Sequence, residues 1–265
     1  MIIDFHTHCF PDKIASATVS ALEKASGNAS YADGTKAGLN DATERANATY
    51  SVNLPVLTKP SQFDSVFNFA LKINEEQGNI ISFAGIHPLC DDIKGKMKMI
   101  KDAGIKGVKI HPDYQSAFID DDNCVEIIKN AKDNDLIVVT HSGIDEGFLD
   151  CTHCTPDRIL NLLKIVGGYD KLVLAHLGSN RMFDEVYEKL AGKSVYFDTA
   201  YSLPLITAEQ FKSLVEKHGA DKILFATDSP WRDIKSEVER LKSYNLDPET
   251  QDKIFYKNAV NLLNI

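Results

Sequence analysis

The feature of this sequence that most constrains its fold is a repeated alternation of short apolar runs and helix-like segments. Runs rich in valine, isoleucine and leucine recur along the chain at 2–8, 50–56, 80–87, 106–111, 136–141, 171–176, 194–199 and 222–228. Apolar runs of this length are typical of parallel strands covered on both faces. Helix-like segments separate or follow them, among them 60–77, 91–103, 121–133, 156–166, 179–191, 207–218, 232–244 and 249–263.

Strands that alternate with helices in this way predict an α/β fold. Eight such units in about 250 residues are the usual size of a closed (β/α)8 barrel, or TIM barrel. We therefore predict a single TIM-barrel domain over residues 1–265, with a doubly wound open sheet as the alternative. Residues 26–49 interrupt the alternation because they are rich in small and polar residues. We expect a long loop there, after the first strand and helix, which is either a plain flexible loop or a lid over the barrel mouth.

Composition and charge narrow the classes of function. The formal net charge of −9 argues against nucleic acid and against an anionic membrane surface as partners. No apolar run approaches the roughly 20 residues of a membrane span, and the chain begins directly with a strand-like run, so we expect a cytoplasmic protein. Five cysteines at irregular spacing favour reduced thiols. We expect a small-molecule substrate, and we allow for assembly into a homo-oligomer.

Polar residues lie where the predicted strands end. His6 and His8 end the first strand, and alternate side chains of a strand point to the same face, so the two imidazoles project together. Two neutral imidazoles on one face can bind a divalent ion. His141, His176 and Asp228 end the fifth, sixth and eighth predicted strands. Because chemistry in such barrels sits at the carboxyl ends of the strands, these five residues are predicted to meet at one site.

The order of these motifs resembles the amidohydrolase superfamily, and above all its metal-dependent hydrolase branch that includes aminocarboxymuconate-semialdehyde decarboxylase-like proteins. The matching segments span nearly the whole chain and are Asp4-Phe5-His6-Thr7-His8, Gly107-Val108-Lys109-Ile110-His111-Pro112, Thr140-His141-Ser142-Gly143, Leu174-Ala175-His176-Leu177-Gly178 and Phe225-Ala226-Thr227-Asp228-Ser229-Pro230. The resemblance implies that His6, His8, His141 and Asp228 ligate a divalent metal, zinc in the first place and manganese as the alternative. It also implies that Asp228 is the general base for a metal-activated water.

The same resemblance implies catalytic roles for His176 and Lys109. His176 either binds a second ion or faces the substrate and polarises it. Lys109 shares a face of the fourth predicted strand with His111, and a lysine inside a barrel must find a counter-charge or lose its proton. It is a carboxylated lysine that bridges two ions, a free ammonium that pairs with a substrate carboxylate or with Asp228, or an edge lysine that reaches water. We favour the free ammonium and a single ion, because no second carboxylate is evident at the strand ends.

Loop residues supply candidates for substrate binding. His153 lies in the segment Cys151-Thr152-His153-Cys154 and either reaches over the barrel mouth or belongs to an ordinary loop. Tyr201, Trp231 and Arg232 follow the seventh and eighth predicted strands. We predict that they line the pocket, with Arg232 as a clamp for a carboxylate.

These residues together predict a metal-dependent hydrolase that acts on a small amide, ester or lactone. The alternative is a metal-dependent, non-oxidative decarboxylase of a small carboxylic acid. A third class, a non-catalytic metal-binding barrel, is disfavoured because the acid/base residue Asp228 is retained beside the ligands. The fold does not fix the substrate, so the sequence alone does not separate the first two classes.

Overall fold

Parallel strands form the centre of the protein in the computed structural model, which describes residues 1–265. The strands are β1 Ile3–Thr7, β2 Tyr50–Asn53, β3 Ile80–Ser82, β4 Ala84–Gly85, β5 Gly107–Ile110, β6 Ile137–Thr140, β7 Leu172–Leu174, β8 Tyr196–Asp198 and β9 Ile223–Leu224. Every neighbouring pair is parallel, in the orders β1-β2-β3 and β4-β5-β6-β7-β8-β9. Only Phe83 separates β3 from β4, so these two pieces together form the third of eight barrel strands.

Backbone contacts join the first barrel strand to the last one. The N–H of Phe5 donates to the carbonyl of Phe225 at 2.9 Å, and the N–H of Asp228 donates to the carbonyl of His6 at 2.8 Å. These bonds lie just beyond the end of β9, so the sheet is not closed into a continuous ladder there. They nevertheless bring the carboxyl ends of β1 and β9 side by side. The prediction of a TIM barrel rather than an open sheet is confirmed.

Helices follow most strands and cover the outside of the barrel. They are α1 Asp12–Ser26, α2 Lys36–Arg45, α3 Phe63–Glu75, α4 Ile93–Asp102, α5 Asp122–Asp133, α6 Pro156–Val166, α7 Phe183–Glu185, α8 Ala208–His218, α9 Ile234–Ser243, α10 Pro248–Asp252 and α11 Asn258–Leu263. The hydroxyls of Thr155 and Thr207 cap α6 and α8 by accepting hydrogen bonds from the N–H groups of Arg158 and Gln210. None of the helices combines the length and the apolar character that a membrane crossing requires.

Residues 26–49 contain a helix where we expected only a loop. α2 begins after Thr35, whose hydroxyl accepts a hydrogen bond from the N–H of Gly38. The helix buries Leu39 and Ala42 in a small cluster with side chains of β3, α3 and α9. The prediction of a long loop is therefore wrong for this part of the segment. A single leucine and two alanines form the apolar buried face of this helix. They produce no strong apolar periodicity, so the sequence pattern does not indicate a helix.

The apolar core lies in two layers that leave one end of the barrel polar. The larger layer packs the outward faces of the strands against the helices. The smaller layer fills the barrel interior with residues such as Phe5, Val52, Phe83 and Val139, and α11 packs against it. Because the inner layer fills the barrel only part of the way, the polar residues at the carboxyl ends of the strands border an open cavity.

His218 is a buried histidine at the end of α8, away from this cavity. Its ring stacks on Phe197 with the centroids 3.8 Å apart. Nε2 donates to the carbonyl of Val195 at 3.1 Å, and Nδ1 accepts from the N–H of Gly192 at 3.1 Å. Burial lowers the pKa of His218 from 6.5 to about 4. The neutral ring is therefore the form that the folded protein accommodates.

We expect the free energy of unfolding to depend on pH through His218. Between the folded pKa of about 4 and the ordinary value of 6.5, the unfolded chain binds a proton that the folded chain rejects. The stabilisation is therefore complete above pH 6.5 and is lost as pH falls towards 4, by up to about 3 kcal/mol. Urea unfolding of the wild type and of His218→Gln across this range measures the effect. The stability difference between the two proteins should shrink as pH falls, and a constant difference contradicts the prediction.

Candidate active site

A cavity of about 640 Å³ opens at the carboxyl ends of the strands. Polar residues that end the strands line its inner part, namely His6, His8, Lys109, His111, His141, His176 and Asp228. Apolar and aromatic residues from α1, α3 and the neighbouring loops line much of the remainder, among them Phe10, Ile14, Leu22, Val56, Phe69, Tyr114 and Trp231. A concave apolar site with a few convergent polar groups is the usual form of a small-molecule site.

Three of the predicted metal ligands form one tight group. Nε2 of His8 lies 3.1 Å from Oδ1 of Asp228, and Nε2 of His6 lies 3.5 Å from the same oxygen. The donor atoms of all three residues lie within 4.8 Å of one another. The alternation of β1 and the backbone bond between residues 6 and 228 bring them together.

The protonation of the site histidines follows from the partners of their Nδ1 atoms. The Nδ1 atoms of His6, His8 and His176 each lie next to an acceptor. These acceptors are the carboxylate of Asp198 and the backbone carbonyls of Leu54 and Ala200, at 2.9, 2.8 and 2.9 Å respectively. Carbonyls and ionised carboxylates only accept hydrogen bonds, so each Nδ1 carries the hydrogen. In the neutral form, each of these rings therefore keeps a lone pair on Nε2.

The first group fits a divalent cation. With neutral rings, the lone pairs of His6 and His8 and the Oδ1 of Asp228 face one another without a hydrogen between them. Burial is the largest cause that lowers the pKa of His6 well below its usual value, so this ring is neutral. Nitrogen and oxygen donors are the usual ligands of divalent metals, and metal-binding histidines usually donate a hydrogen bond from the ring nitrogen that does not bind the metal. In the metal-free chain, the repulsion between these lone pairs is relieved only by a shared proton or by a neighbouring ammonium.

Lys109 supplies that ammonium. Its side chain is buried, which excludes the edge position in which the amino group reaches water. Nζ lies 3.1 Å from Nε2 of His6 and donates to it. Burial lowers the pKa of Lys109 to about 8, although the carboxylates of Asp198 and Asp228 favour the charged form. Near neutral pH the unmodified side chain is therefore mainly an ammonium.

His141 belongs to a second group of donor atoms in the same cavity. Its Nδ1 lies 3.0 Å from Nε2 of His176. Its ring stacks on that of His111, with centroids 4.1 Å apart and planes 12° from parallel. The Nε2 atoms of His111 and His141 lie 3.4 and 4.0 Å from Oδ2 of Asp145. The four predicted ligands thus border one cavity but are divided between two groups of donor atoms.

Sequence reasoning missed three carboxylates near this site. Asp198 ends β8, Asp113 follows β5 and Asp145 follows β6. The statement that no second carboxylate lies at the strand ends is therefore wrong, and with it one reason for favouring one ion over two. For Asp198 a signal was present, because it is the first polar residue after the run Val195-Tyr196-Phe197.

Two of the four predicted substrate-binding residues line the cavity, and two do not. Tyr201 and Trp231 border it. Arg232 instead places its guanidinium over the ring of Tyr201, 4.1 Å from the ring centre. His153 binds Asp113 through Nδ1 at 2.8 Å. Neither Arg232 nor His153 lines the cavity, and each side chain is engaged with another residue. The prediction that these two residues contact the substrate is therefore corrected.

The backbone at the site adopts conformations that L-residues rarely take. His176, Tyr201 and Asp228 have φ values of 60°, 61° and 71°. Such conformations cost free energy and persist where the surroundings fix them, which occurs often at functional sites. Here the N–H of His176 donates to Asp198 at 2.9 Å, and the N–H of Asp228 donates to the carbonyl of His6. The positions of these site residues are thus fixed by hydrogen bonds to neighbouring strands.

Comparison with known proteins decides the family. A family model described as amidohydrolase matches residues 3–265. The chain belongs to the amidohydrolase family. The predicted superfamily is thereby confirmed, and so is the assignment of the chain as an enzyme. Among curated proteins there is no match.

Solved structures of this amidohydrolase's fold include hydrolases and decarboxylases. A putative amidohydrolase from Staphylococcus aureus is 19% identical with a TM-score of 0.74, covering 100% of this chain and 99% of that one. A probable 2-pyrone-4,6-dicarboxylic acid hydrolase from Acinetobacter baumannii is 16% identical with a TM-score of 0.69, covering 100% and 99%. A dihydroxybenzoic acid decarboxylase from Polaromonas sp. JS666, with bound manganese and the inhibitor 2-nitroresorcinol, is 13% identical with a TM-score of 0.72, covering 99% and 96%. At these identities the likeness shows the shared barrel.

The arrangement of donor atoms predicts the metal content of variants. Wild-type protein loaded with zinc or manganese should retain about one ion per chain after desalting, and His8→Ala should retain less than about a tenth of an ion. His87→Ala is the matched control, because His87 is a buried histidine near a strand end that does not line the cavity. Elemental analysis measures the ions. Equal metal content in His8→Ala and His87→Ala contradicts the assigned site.

Proposed function

We propose that this amidohydrolase is a metal-dependent hydrolase that cleaves a small amide, ester or lactone. The observation that supports the proposal most is the placement of Asp228. Its Oδ1 faces His6 and His8, while its Oδ2 has no hydrogen-bond partner within the protein and the residue borders the cavity. A carboxylate with one oxygen toward the ring nitrogens of two histidines and the other oxygen free is suited to take a proton from water.

His6, His8 and Asp228 would hold the ion, which we propose to be zinc or manganese. The ring of His176 lies 5.4 Å from that of His6, centroid to centroid, and His141 lies next to His176. When bound, a divalent ion of this kind polarises a substrate carbonyl and lowers the pKa of water.

Asp228 acts as the general base in this proposal. Burial raises the pKa of Asp228, but His8 and the nearby imidazoles, when they carry a proton, lower it by more, so the pKa of Asp228 lies below its usual range. The carboxylate is then ionised at neutral pH, which is the form that accepts a proton. In hydrolysis, the water oxygen forms a bond to the substrate carbonyl carbon, and Oδ2 of Asp228 takes the proton. The same proton then passes to the leaving nitrogen or oxygen as its bond to the carbonyl carbon breaks.

Lys109 and His176 bind the substrate around the reacting carbon. The ammonium of Lys109 is a fixed positive charge at the inner end of the cavity, where it stabilises negative charge on a substrate oxygen. His176 borders the same space beside His141. Tyr201 and Trp231 form part of the wall and exclude bulk water from the reacting groups.

Decarboxylation is the second candidate, because a buried ammonium favours an anionic group. In this reaction Lys109 binds the carboxylate of a small acid, the bond to the carboxylate carbon breaks, and the electron pair stays on the substrate carbon. A proton from an acid in the cavity then replaces the CO2 that leaves. The decarboxylase from Polaromonas with bound manganese has the same fold, which supports keeping this candidate.

A substrate panel distinguishes the two reactions. We expect the zinc- or manganese-loaded protein to hydrolyse at least one lactone, ester or amide, with acid release followed in a pH-stat. Aromatic and unsaturated carboxylic acids are assayed in parallel for CO2. Asp228→Asn should lose at least about 100-fold in turnover. CO2 release without hydrolysis of any substrate establishes the second candidate instead, and an absence of both contradicts both.

Lys109→Met tests the role and the chemical state of the lysine. If Lys109 is an unmodified ammonium, the variant should lose turnover while the tight metal site stays filled, because methionine removes the charge and keeps the length. Lys106→Met, at an exposed position of the same segment, is the control and should change neither property. Turnover and metal content are measured together. Loss of metal in Lys109→Met alone, with bicarbonate raising the metal content of wild type, shows a bridging carbamate and contradicts the ammonium.

A further inference from the structure

The part of the cavity next to α1 and α3 has an apolar wall that neither candidate reaction uses. Four large side chains from these helices border it, namely Ile14, Leu22, Val66 and Phe69. All four are only partly buried, and Ile14 is 50% exposed. Apolar side chains that stay open to a cavity are suited to bind an apolar group, because contact with it removes them from water.

α1 carries two apolar stripes, of which only one is buried. Ala15 and Val19 form the buried stripe. Ile14 and Leu22, eight residues apart, lie on a neighbouring face and border the cavity. At a rise of about 1.5 Å per residue, they are about 12 Å apart along the helix. Ile14 lies in the first turn of α1, close in sequence to His8, so the wall extends away from the strand ends.

α1 also reaches across the mouth of the barrel. It begins shortly after β1, and near its other end a β-carbon added at Gly147 would lie 3.9 Å from the β-carbon of Ala25. Gly147 follows β6, which is the fifth of the eight barrel strands and therefore lies opposite the first. A ligand that extends outward from the strand ends therefore passes along α1.

Polar residues border the same part of the cavity, but their hydrogen-bonding groups are engaged within their own helices and turns. Oγ of Ser26 donates to the carbonyl of Leu22, and Oγ of Ser65 donates to the carbonyl of Gln62, each at 2.9 Å. Oε1 of Gln62 accepts a hydrogen bond from the N–H of Thr58 at 2.8 Å. These groups already have partners, so binding there does not depend on a polar ligand.

We propose that the substrate carries a linear alkyl chain, which lies along α1 and α3 while its carbonyl end reaches His6 and His8. The positive charge of Lys109 at the inner end and the apolar wall at the outer end complement such an amphiphile. A chain of about eight to ten carbon atoms matches the wall of about 12 Å, of which a single aromatic ring fills only part. The cavity of about 640 Å³ has room for it. The inference rests on the proposed function for the reaction at the carbonyl group, but the alkyl subsite does not.

Trp231 provides a binding signal, because it is the only tryptophan of the chain and borders the cavity. Its fluorescence is titrated with acetate, butanoate, hexanoate and octanoate, using the full-length protein with and without zinc. We expect Kd to fall about threefold for each added methylene group. A Kd that does not depend on chain length, or no binding by any of these acids, overturns the proposal. Tighter binding of benzoate than of octanoate also overturns it.

Ile14→Ser tests the wall, and its exposed position favours folding of the variant. Kd for octanoate should rise at least about fivefold, while Kd for acetate, which is too short to reach the wall, should not change. Ile165→Ser is the matched control, because Ile165 is 44% exposed on α6 and does not border the cavity. Leu22→Ser replaces Ile14→Ser if that variant fails to fold, with the same expected result. Equal effects of the wall variant and the control on octanoate binding contradict the alkyl subsite.

The titrations need no turnover, so they separate this inference from the hydrolase assignment. Binding that tightens with chain length in a protein that hydrolyses no ester, lactone or amide supports the alkyl subsite and contradicts the proposed hydrolase. Hydrolysis by a protein whose Kd values do not depend on chain length overturns the alkyl subsite and leaves the hydrolase standing.

Discussion

The site depends on where three imidazole hydrogens are placed. His6, His8 and His176 each direct the Nδ1 hydrogen at an acceptor outside the cavity. This leaves lone pairs rather than hydrogens at the inner nitrogens, and burial keeps the ring of His6 from taking up a proton. The Nε2 lone pairs of the three rings therefore form a set of electron donors at the carboxyl ends of the strands. Nitrogen donors of this kind are suited to bind a divalent cation. If these hydrogens faced the cavity, the same residues would repel a cation.

Lys109 shows how the protein balances charge in the same space. Transfer of an isolated ammonium into a protein interior is very costly. Asp198 and Asp228 offset this cost, so burial lowers the pKa of Lys109 only to about 8. The positive charge of Lys109 and the lone pair of His6 are matched in one hydrogen bond. A metal ion bound by His6 would compete with this ammonium for the same nitrogen, so the proposed metal content depends on the chemical state of Lys109.

Local sequence patterns predict the strands, several helix caps and many residues of the candidate site. The remaining features depend on contacts between residues that are far apart in the sequence. The strands, the caps at Thr155 and Thr207 and the polar residues at strand ends follow from periodicity and spacing in short stretches of chain. The partners of the histidines do not, because the meeting of Asp198 with His6 depends on how the barrel brings distant strands together. Loop residues are less predictable still. Arg232 and His153 follow predicted strands that end at the site, yet neither lines the cavity, because Arg232 packs on Tyr201 and His153 binds Asp113.

Asp198 connects the two halves of the site through a single side chain. One of its oxygens binds Nδ1 of His6, and the other accepts hydrogen bonds from the N–H groups of His176 and Ala200 at 2.9 and 3.0 Å. A substitution at this position therefore alters the orientation of one histidine and the backbone of another at the same time. For protein engineering, the consequence is that His6 and His176 are not independent design variables. Substitutions that act on His6 and substitutions that act on His176 must therefore be selected as coupled pairs, because their effects will not add.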